Sequence, residues 1–323
     1  MLRFGPLALA ATLLSACATQ LPPLEPVVVE APVEVVVEPQ APPAEEKPAQ
    51  PEPEPASSEP PPLPSVAIVL TSKQPVYADV ANELSAHFEN HAIYDLDDAS
   101  TPPATVLRLV NDSNPVAVIA IGVRAARSSV AMSRQPVVFS QVFNYRHHDL
   151  LNDNTRGVAV LPPLDAQFAA WREIDPSLQK IGFIIGEGHE ELVTEAEIAA
   201  QRHGIEIAAE VSHSDQETLY IFRRMIRDID GFLLLPDNRI LSSRVLQEMM
   251  TEARRNRVPV SVPNDAMMSL GATLSMTASA SDIARTIVNV VRAIQAGNIA
   301  DVPPVSRLSE ILVRTGPAEQ AAR

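Results

Sequence analysis

Cysteine is almost missing from these 323 residues, with Cys17 the only one. A chain with one thiol can form no internal disulfide, and it carries neither a C-x-x-C redox pair nor a cysteine-rich zinc site. Glycine is also scarce, at 11 residues, and no phosphate loop or G-x-S-x-G elbow occurs; Gly186-Glu187-Gly188 lacks the third glycine of a dinucleotide loop. Positive charge is in the minority, with 25 Lys and Arg against 40 Asp and Glu and a net charge of −15. Arg223, Arg224 and Arg227, and again Arg254, Arg255 and Arg257, alternate with apolar residues at helical spacing, the pattern of solvated helix faces rather than of a nucleic-acid surface. His147-His148-Asp149 has no further ligand cluster beside it, and His189-Glu190-Glu191 lacks the second histidine that a zinc helix requires. No catalytic, metal or cofactor constellation survives, so the chain reads as a non-enzyme that uses no cofactor. No apolar run reaches the roughly 20 residues of a membrane-spanning helix.

The apolar run that does stand out, Phe4 to Leu14 after Arg3, has the length and flanks of a signal peptide. It ends in Leu14-Ser15-Ala16-Cys17, which resembles the lipobox of bacterial lipoproteins. The resemblance implies removal of residues 1–16, lipid on Cys17, and stable anchoring by several acyl chains. Ala18 stands where an Asp would retain such a protein in the inner membrane, so the expected place is the outer membrane, facing the periplasm. Residues 21–64 then hold 15 of the 30 prolines, nine glutamates against Lys47, and no glycine. Proline donates nothing to a helix or sheet, and like charges repel, so residues 17–64 read as a lipidated cysteine followed by a disordered, extended Pro/Glu-rich linker.

From residue 65 onward, short β-branched runs alternate with amphipathic stretches, the pattern of parallel strands crossed over by helices. Strands are expected at Val66-Thr71, Ala92-Leu96, Val116-Ile121, Val137-Val142, Lys180-Ile185, Glu206-Val211, Phe232-Leu235 and Pro259-Val262. Helices are expected at Val76-His91, Pro102-Val110, Ala166-Ile174, Glu190-His203, Glu217-Ile229 and Ser242-Asn256. Near-continuous apolar strands imply sheets covered on both faces. The alternation breaks at Asn144-Arg156 and at Asn264-Ser279, as two α/β lobes joined by crossing segments would require.

Several phrases, in order, resemble the ABC-transporter substrate-binding family of type I periplasmic binding proteins, which includes tryptophan- and tyrosine-binding lipoproteins. They are Ile121-Gly122, Pro136-Val137-Val138-Phe139, Asn154-Thr155-Arg156-Gly157-Val158, Lys180-Ile181-Gly182, Leu235-Pro236-Asp237-Asn238, Arg257-Val258-Pro259-Val260 and Gly271-Ala272. The resemblance implies two Rossmann-like α/β lobes that close on a small organic ligand. Lobe one is expected over 65–142 plus 273–300, lobe two with hinge segments over 143–272, and a C-terminal tail over 301–323. Two phrases depart from the family pattern: Val142-Phe143-Asn144-Tyr145, where Thr-Asp-Pro is usual, and Gly186-Glu187-Gly188-His189, where Asn-Pro is usual.

Ligands in such sheets lie beyond the carboxyl ends of the strands. The candidate binding residues are therefore Ser72, Gln74, Gly122, Arg124, Asn144, Tyr145, Glu187, Asp237, Asn238, Asn264 and Asp265. Arg124 suits a ligand carboxylate, Asp237 or Asp265 an amine, and Tyr145 or Tyr77 an aromatic ring. The same Asp and Asn residues are also ordinary turn formers and helix caps. Trp171 falls within an amphipathic helix and reads as packing or partner surface. Two functions stay open. One is capture of a small solute, such as an amino acid, for an ABC permease. The other is an outer-membrane-anchored sensor or scaffold that engages a cell-envelope partner such as cell-wall synthesis machinery; Ala18 and the long acidic spacer suit this second reading.

Overall fold

A computed structural model of the chain describes residues 65–316; the expected signal peptide, Cys17, the expected spacer and the end of the expected C-terminal tail lie outside the described residues. The first half alternates strand and helix: β1 (Val66–Leu70), α1 (Pro75–His87), β2 (His91–Asp95), α2 (Pro103–Asp112), β3 (Ala117–Ile121), α3 (Val123–Met132), β4 (Val137–Ser140) and β5 (Thr155–Val158). Then follow α4 (Leu164–Ile174), β6 (Lys180–Gly186), α5 (Glu190–Arg202), β7 (Glu206–Ser212), α6 (Asp215–Met225), β8 (Gly231–Leu233), α7 (Ser243–Asn256), β9 (Val260–Val262) and β10 (Leu274–Thr277). The chain closes with α8 (Ala280–Gln295), β11 (Val305–Ser306) and β12 (Leu312–Thr315).

Two six-stranded sheets result, in the orders β11-β5-β4-β3-β1-β2 and β12-β10-β9-β8-β6-β7. Each pairing is parallel except that of β12 with β10. The reason lies in the strands themselves. All five residues of β1 and all five of β3 are buried, because helices cover both faces of the sheet. In lobe one, α1 and α8 seal one face around Leu84, Phe88 and Ile287, while α2 and α3 seal the other around Val106, Val110, Ala125 and Ala126. In lobe two, α4 and α5 cover one face with Phe168, Trp171 and Ala200, and α6 and α7 the other with Phe222, Met249 and Met250. Trp171 is core: a Cβ on Gly231 would lie 2.6 Å from its ring.

Helix starts follow local chemistry. Ser214, Ser242 and Ser279 cap α6, α7 and α8 by accepting a backbone N–H three residues on. α1 and α2 begin with proline, whose missing N–H costs nothing in a first turn.

The structure corrects several expectations. α1 stops at His87 rather than His91, because Phe88 turns fully into the core and His91 already pairs with Val66 in β2. The expected polar loop Asn144-Arg156 ends in a strand, since Thr155–Val158 pairs with both β4 and β11. Lobe boundaries move accordingly: β5 belongs to the first sheet, while Leu274–Thr277 and Leu312–Thr315 belong to the second. The chain therefore crosses between the lobes at 159–163, just past the first break in the pattern, at 278–279, within the second, and a third time at 307–311. No helix among the described residues is long and apolar enough to cross a membrane.

Candidate functional site

The carboxyl ends of the strands in the two sheets supply the loops of an interlobe face. On lobe one the loop leaving β4 carries Phe143, Asn144, Tyr145 and Arg146; on lobe two the loops after β6 and β8 carry Glu187 to His189 and Asp237 to Arg239. Asn144 is 3% exposed and Asp237 1%. Asn144 Nδ2 donates to Asp237 Oδ1 at 2.9 Å and to Asn238 Oδ1 at 3.2 Å. Its amide nitrogen being spent on oxygens, its Oδ1 accepts from His189 Nε2 at 2.9 Å, which puts the imidazole proton on that nitrogen. The Phe143 ring stacks on the His189 ring with centroids 4.5 Å apart.

Asp237 is surrounded by donors from its own chain. Arg239 donates from its backbone N–H at 3.1 Å, from Nε at 2.9 Å and from Nη2 at 2.8 Å, and Gly186 donates its backbone N–H at 2.9 Å. Burial pushes the Asp237 carboxyl up, and the hydrogen bonds from Arg239, Asn144 and Gly186 overcome this and hold it below the usual carboxylate range. Burial pushes His189 down, and Asp237, whose Oδ2 lies 4.0 Å from Nε2, only partly offsets that. The imidazole is therefore neutral at pH 7. Two further ion pairs tie the faces together, Arg146 with Glu191 and Arg307 with Glu195.

Cavities open on either side of this contact. The outer one, about 660 Å³, lies over the ends of β6, β7 and β8 and is lined by Arg146, His147, Glu187, His189, His213 and Arg239 among others. The inner one, about 360 Å³, is mostly apolar and lies against the crossing segments, with Phe143, Leu161, Leu192 and Leu308 in its walls.

Of the expected residues, Asn144, Asp237 and Asn238 converge directly, and Glu187 joins them through its carbonyl oxygen, which accepts from Arg239 Nη1 at 3.0 Å. Tyr145 lies beside them, its ring 5.9 Å from that of Phe139 and beneath the Arg146 guanidinium. The others have different surroundings. Arg124 pairs with Asp97 at 3.3 Å on the exposed side of lobe one. Gln74 precedes α1 without a side-chain cap bond, and the Ser72 hydroxyl is buried with no hydrogen-bond partner. Gly122 holds φ at +88°, and a Cβ there would lie 2.5 Å from Thr71 Oγ1, so only glycine fits the turn after β3. Asn264 caps a 3-10 turn through Ala266 N, while Asp265 accepts from Ser275 and pairs with Arg314 at 3.0 Å. Asp237 and Asp265 are thus both engaged within the protein, so neither stands ready for a ligand amine. Tyr77 packs against the α1–α8 core of lobe one. Arg146, His189 and Arg239 escaped selection as candidates, although His189 stands in one of the two departing phrases and Arg239 two residues beyond Asp237.

The same architecture occurs in known proteins. A structure from Streptococcus pneumonia described as an ABC domain in complex with L-Trp is 16% identical, covers 80% of this chain and 94% of its own, and gives a TM-score of 0.55. An open, ligand-free substrate binding protein with adhesive properties from Clostridium difficile is 12% identical, with 80% and 94% covered and a TM-score of 0.60. A conserved domain protein from Vibrio cholerae is 19% identical, with 80% and 97% covered and a TM-score of 0.52. At these identities the likeness is one of fold. No curated protein matches the chain by sequence. Residues 84–314 match the family described as ABC transporter substrate binding protein, a span that takes in both lobes, and the chain belongs to that family.

Proposed function

We propose that the chain is a lipid-anchored protein of the bacterial envelope that captures a small polar solute between its lobes and presents it to an ABC permease. The observation that carries this reading is the outer cavity. Its floor is the carboxyl ends of three strands of lobe two, and Arg146 and His147 of lobe one overhang it, so a molecule held there touches both lobes. Arg146 and His213 lie among its walls with much of their side chains exposed, while Arg239 is committed to Asp237. That donor set suits a solute with an acidic group, because guanidinium and carboxylate match in geometry. Arg146, although it also pairs with Glu191, is the half-exposed guanidinium that lines this cavity, which Arg124 does not. The L-Trp complex of the pneumococcal relative is consistent with an amino-acid-like solute, and the lipobox-like Cys17 supports the anchor.

The test is native mass spectrometry of the protein purified gently from a bacterial envelope. A bound mass of a small organic acid or amino acid, released on denaturation, is the expected result. Protein that carries no such mass, and takes up none from an envelope extract, would count against solute capture.

A second reading draws on one specific feature. The interlobe face is bridged by Asn144, and that bridge is compatible with a tethered sensor or scaffold, as are Ala18 and the long acidic spacer. A permease gene beside this one supports the first reading; retention of the protein on an envelope complex without any solute supports the second.

A further inference from the structure

Asn144 leaves lobe one in the loop after β4, yet its side chain bonds to Asp237, Asn238 and His189, all of lobe two. A two-lobed binding protein usually closes because a ligand's polar groups bridge its two faces. Here the chain's own side chains make that bridge. Asp237 accepts five hydrogen bonds, one of them across the lobes, and the bridge is buried, so parting the lobes would exchange the cross-lobe bonds of Asn144 for bonds to water, a net loss at each. Phe143 stacked on His189 adds an apolar contact across the same face, and Arg307 adds two bonds to Glu195 at 2.8 and 3.0 Å.

We infer that Asn144 is a positioning residue that latches the lobes together without a solute, so that the protein rests closed. The bridge consists of residues from the two phrases that depart from the family pattern, Val142 to Tyr145 and Gly186 to His189, with Asp237 and Asn238 as its far anchor. The inference is independent of the solute reading, because it concerns the chain before any ligand arrives.

Hydrogen–deuterium exchange on the full chain, stripped of small molecules by unfolding and refolding, tests it. The solute-free wild type is expected to protect amides of 143–148 and 186–190. Asn144→Ala should speed their exchange about tenfold or more. Strands β1 and β6 should keep their protection in both proteins, which separates lobe opening from loss of fold. Should Asn144→Ala not fold, Asn144→Ser serves as the second variant, since its shorter side chain keeps a polar group but cannot reach Asp237, Asn238 and His189. Equal exchange of these segments in wild type and a folded variant, whether fast or slow, would overturn the latch.

Discussion

The amide oxygen of Asn144 lies 2.9 Å from Nε2 of His189, joining two loops that belong to different lobes. Each residue occupies one of the two phrases that depart from the expected family pattern, and the contact joins those two phrases across the lobes. A side chain that bridges the cleft needs a partner on the other side. Loss of either should therefore be felt at the other.

His189 makes the closed arrangement sensitive to acid. Its folded pKa lies below its ordinary value of 6.5, chiefly through burial, with Asp237 and Glu190 opposing and Arg239 and Arg146 reinforcing the shift. The unfolded chain then binds the proton more readily, so the contribution of His189 is complete above pH 6.5 and declines as pH falls toward the folded pKa. Asp237 changes nothing in that window, since its carboxyl titrates below the ordinary 3.8. Urea unfolding between about pH 7.5 and 5.5 should show stability falling with pH, and His189→Gln should flatten the slope. An equal slope in the variant would assign the effect elsewhere.

Gly186 is tied to the same face by space rather than by charge. A Cβ on it would lie 2.5 Å from Arg239 Nη2 and 2.6 Å from Asp237 Oδ2. Gly186→Ala must push the Arg239–Asp237 pair aside, and overpacking of this kind costs about 1–3 kcal/mol. Its thermal midpoint should fall, and exchange at 143–148 should rise with it. A neutral effect on both would mean that the pair shifts freely.

Arg156 is 8% exposed and holds the return of the chain to lobe one, donating from Nε to the carbonyls of Ile299 and Val302 at 3.0 Å each and from Nη2 to Ile299 at 2.6 Å. Arg156→Ala should destabilise the protein by about 3 kcal/mol, since it removes several hydrogen bonds made by a charged group to partly buried carbonyls. Arg156→Lys should rescue little, because an ammonium lacks the planar fork that spans two carbonyls. Denaturant titration of the pair decides it; full rescue by lysine would show that charge alone suffices.

Cys17→Ser should yield an unprocessed precursor that is not acylated at that position. Metabolic labelling with a fatty acid and membrane fractionation read this directly, and normal labelling and maturation of the variant would remove the lipoprotein assignment.

The fold was legible wherever burial leaves a one-dimensional trace. Val66–Leu70 and Ala117–Ile121 are unbroken apolar runs because both their faces are covered, and the amphipathic period of Ser243–Asn256 marks its helix. Other elements left no such trace. α3 buries Ala125, Ala126 and Ser129, residues too small to make a strong pattern, and β5 contains an arginine whose burial is made possible by carbonyls more than 140 residues away. β11 has two residues and exists through pairing with β5. At the site, the rule that loops past strand ends lie together picked out Asn144, Asp237 and Asn238, which hydrogen-bond to one another. It could not show that Asp237 is already engaged by Arg239, that Arg124 pairs with Asp97, or that Asp265 serves β10 and β12, since those depend on distances in space.

If a small acidic solute binds between the lobes, it must stabilise the folded chain. Thermal unfolding of the full chain with a panel of amino acids and small carboxylic acids measures this, with Arg146→Gln as the matched variant. A true solute at 100 times its dissociation constant should add about 2.7 kcal/mol, raising the midpoint by roughly 5–10 °C, and the variant should lose most of that gain. A panel in which no compound stabilises the wild type, or one whose effect is identical in Arg146→Gln, would contradict it.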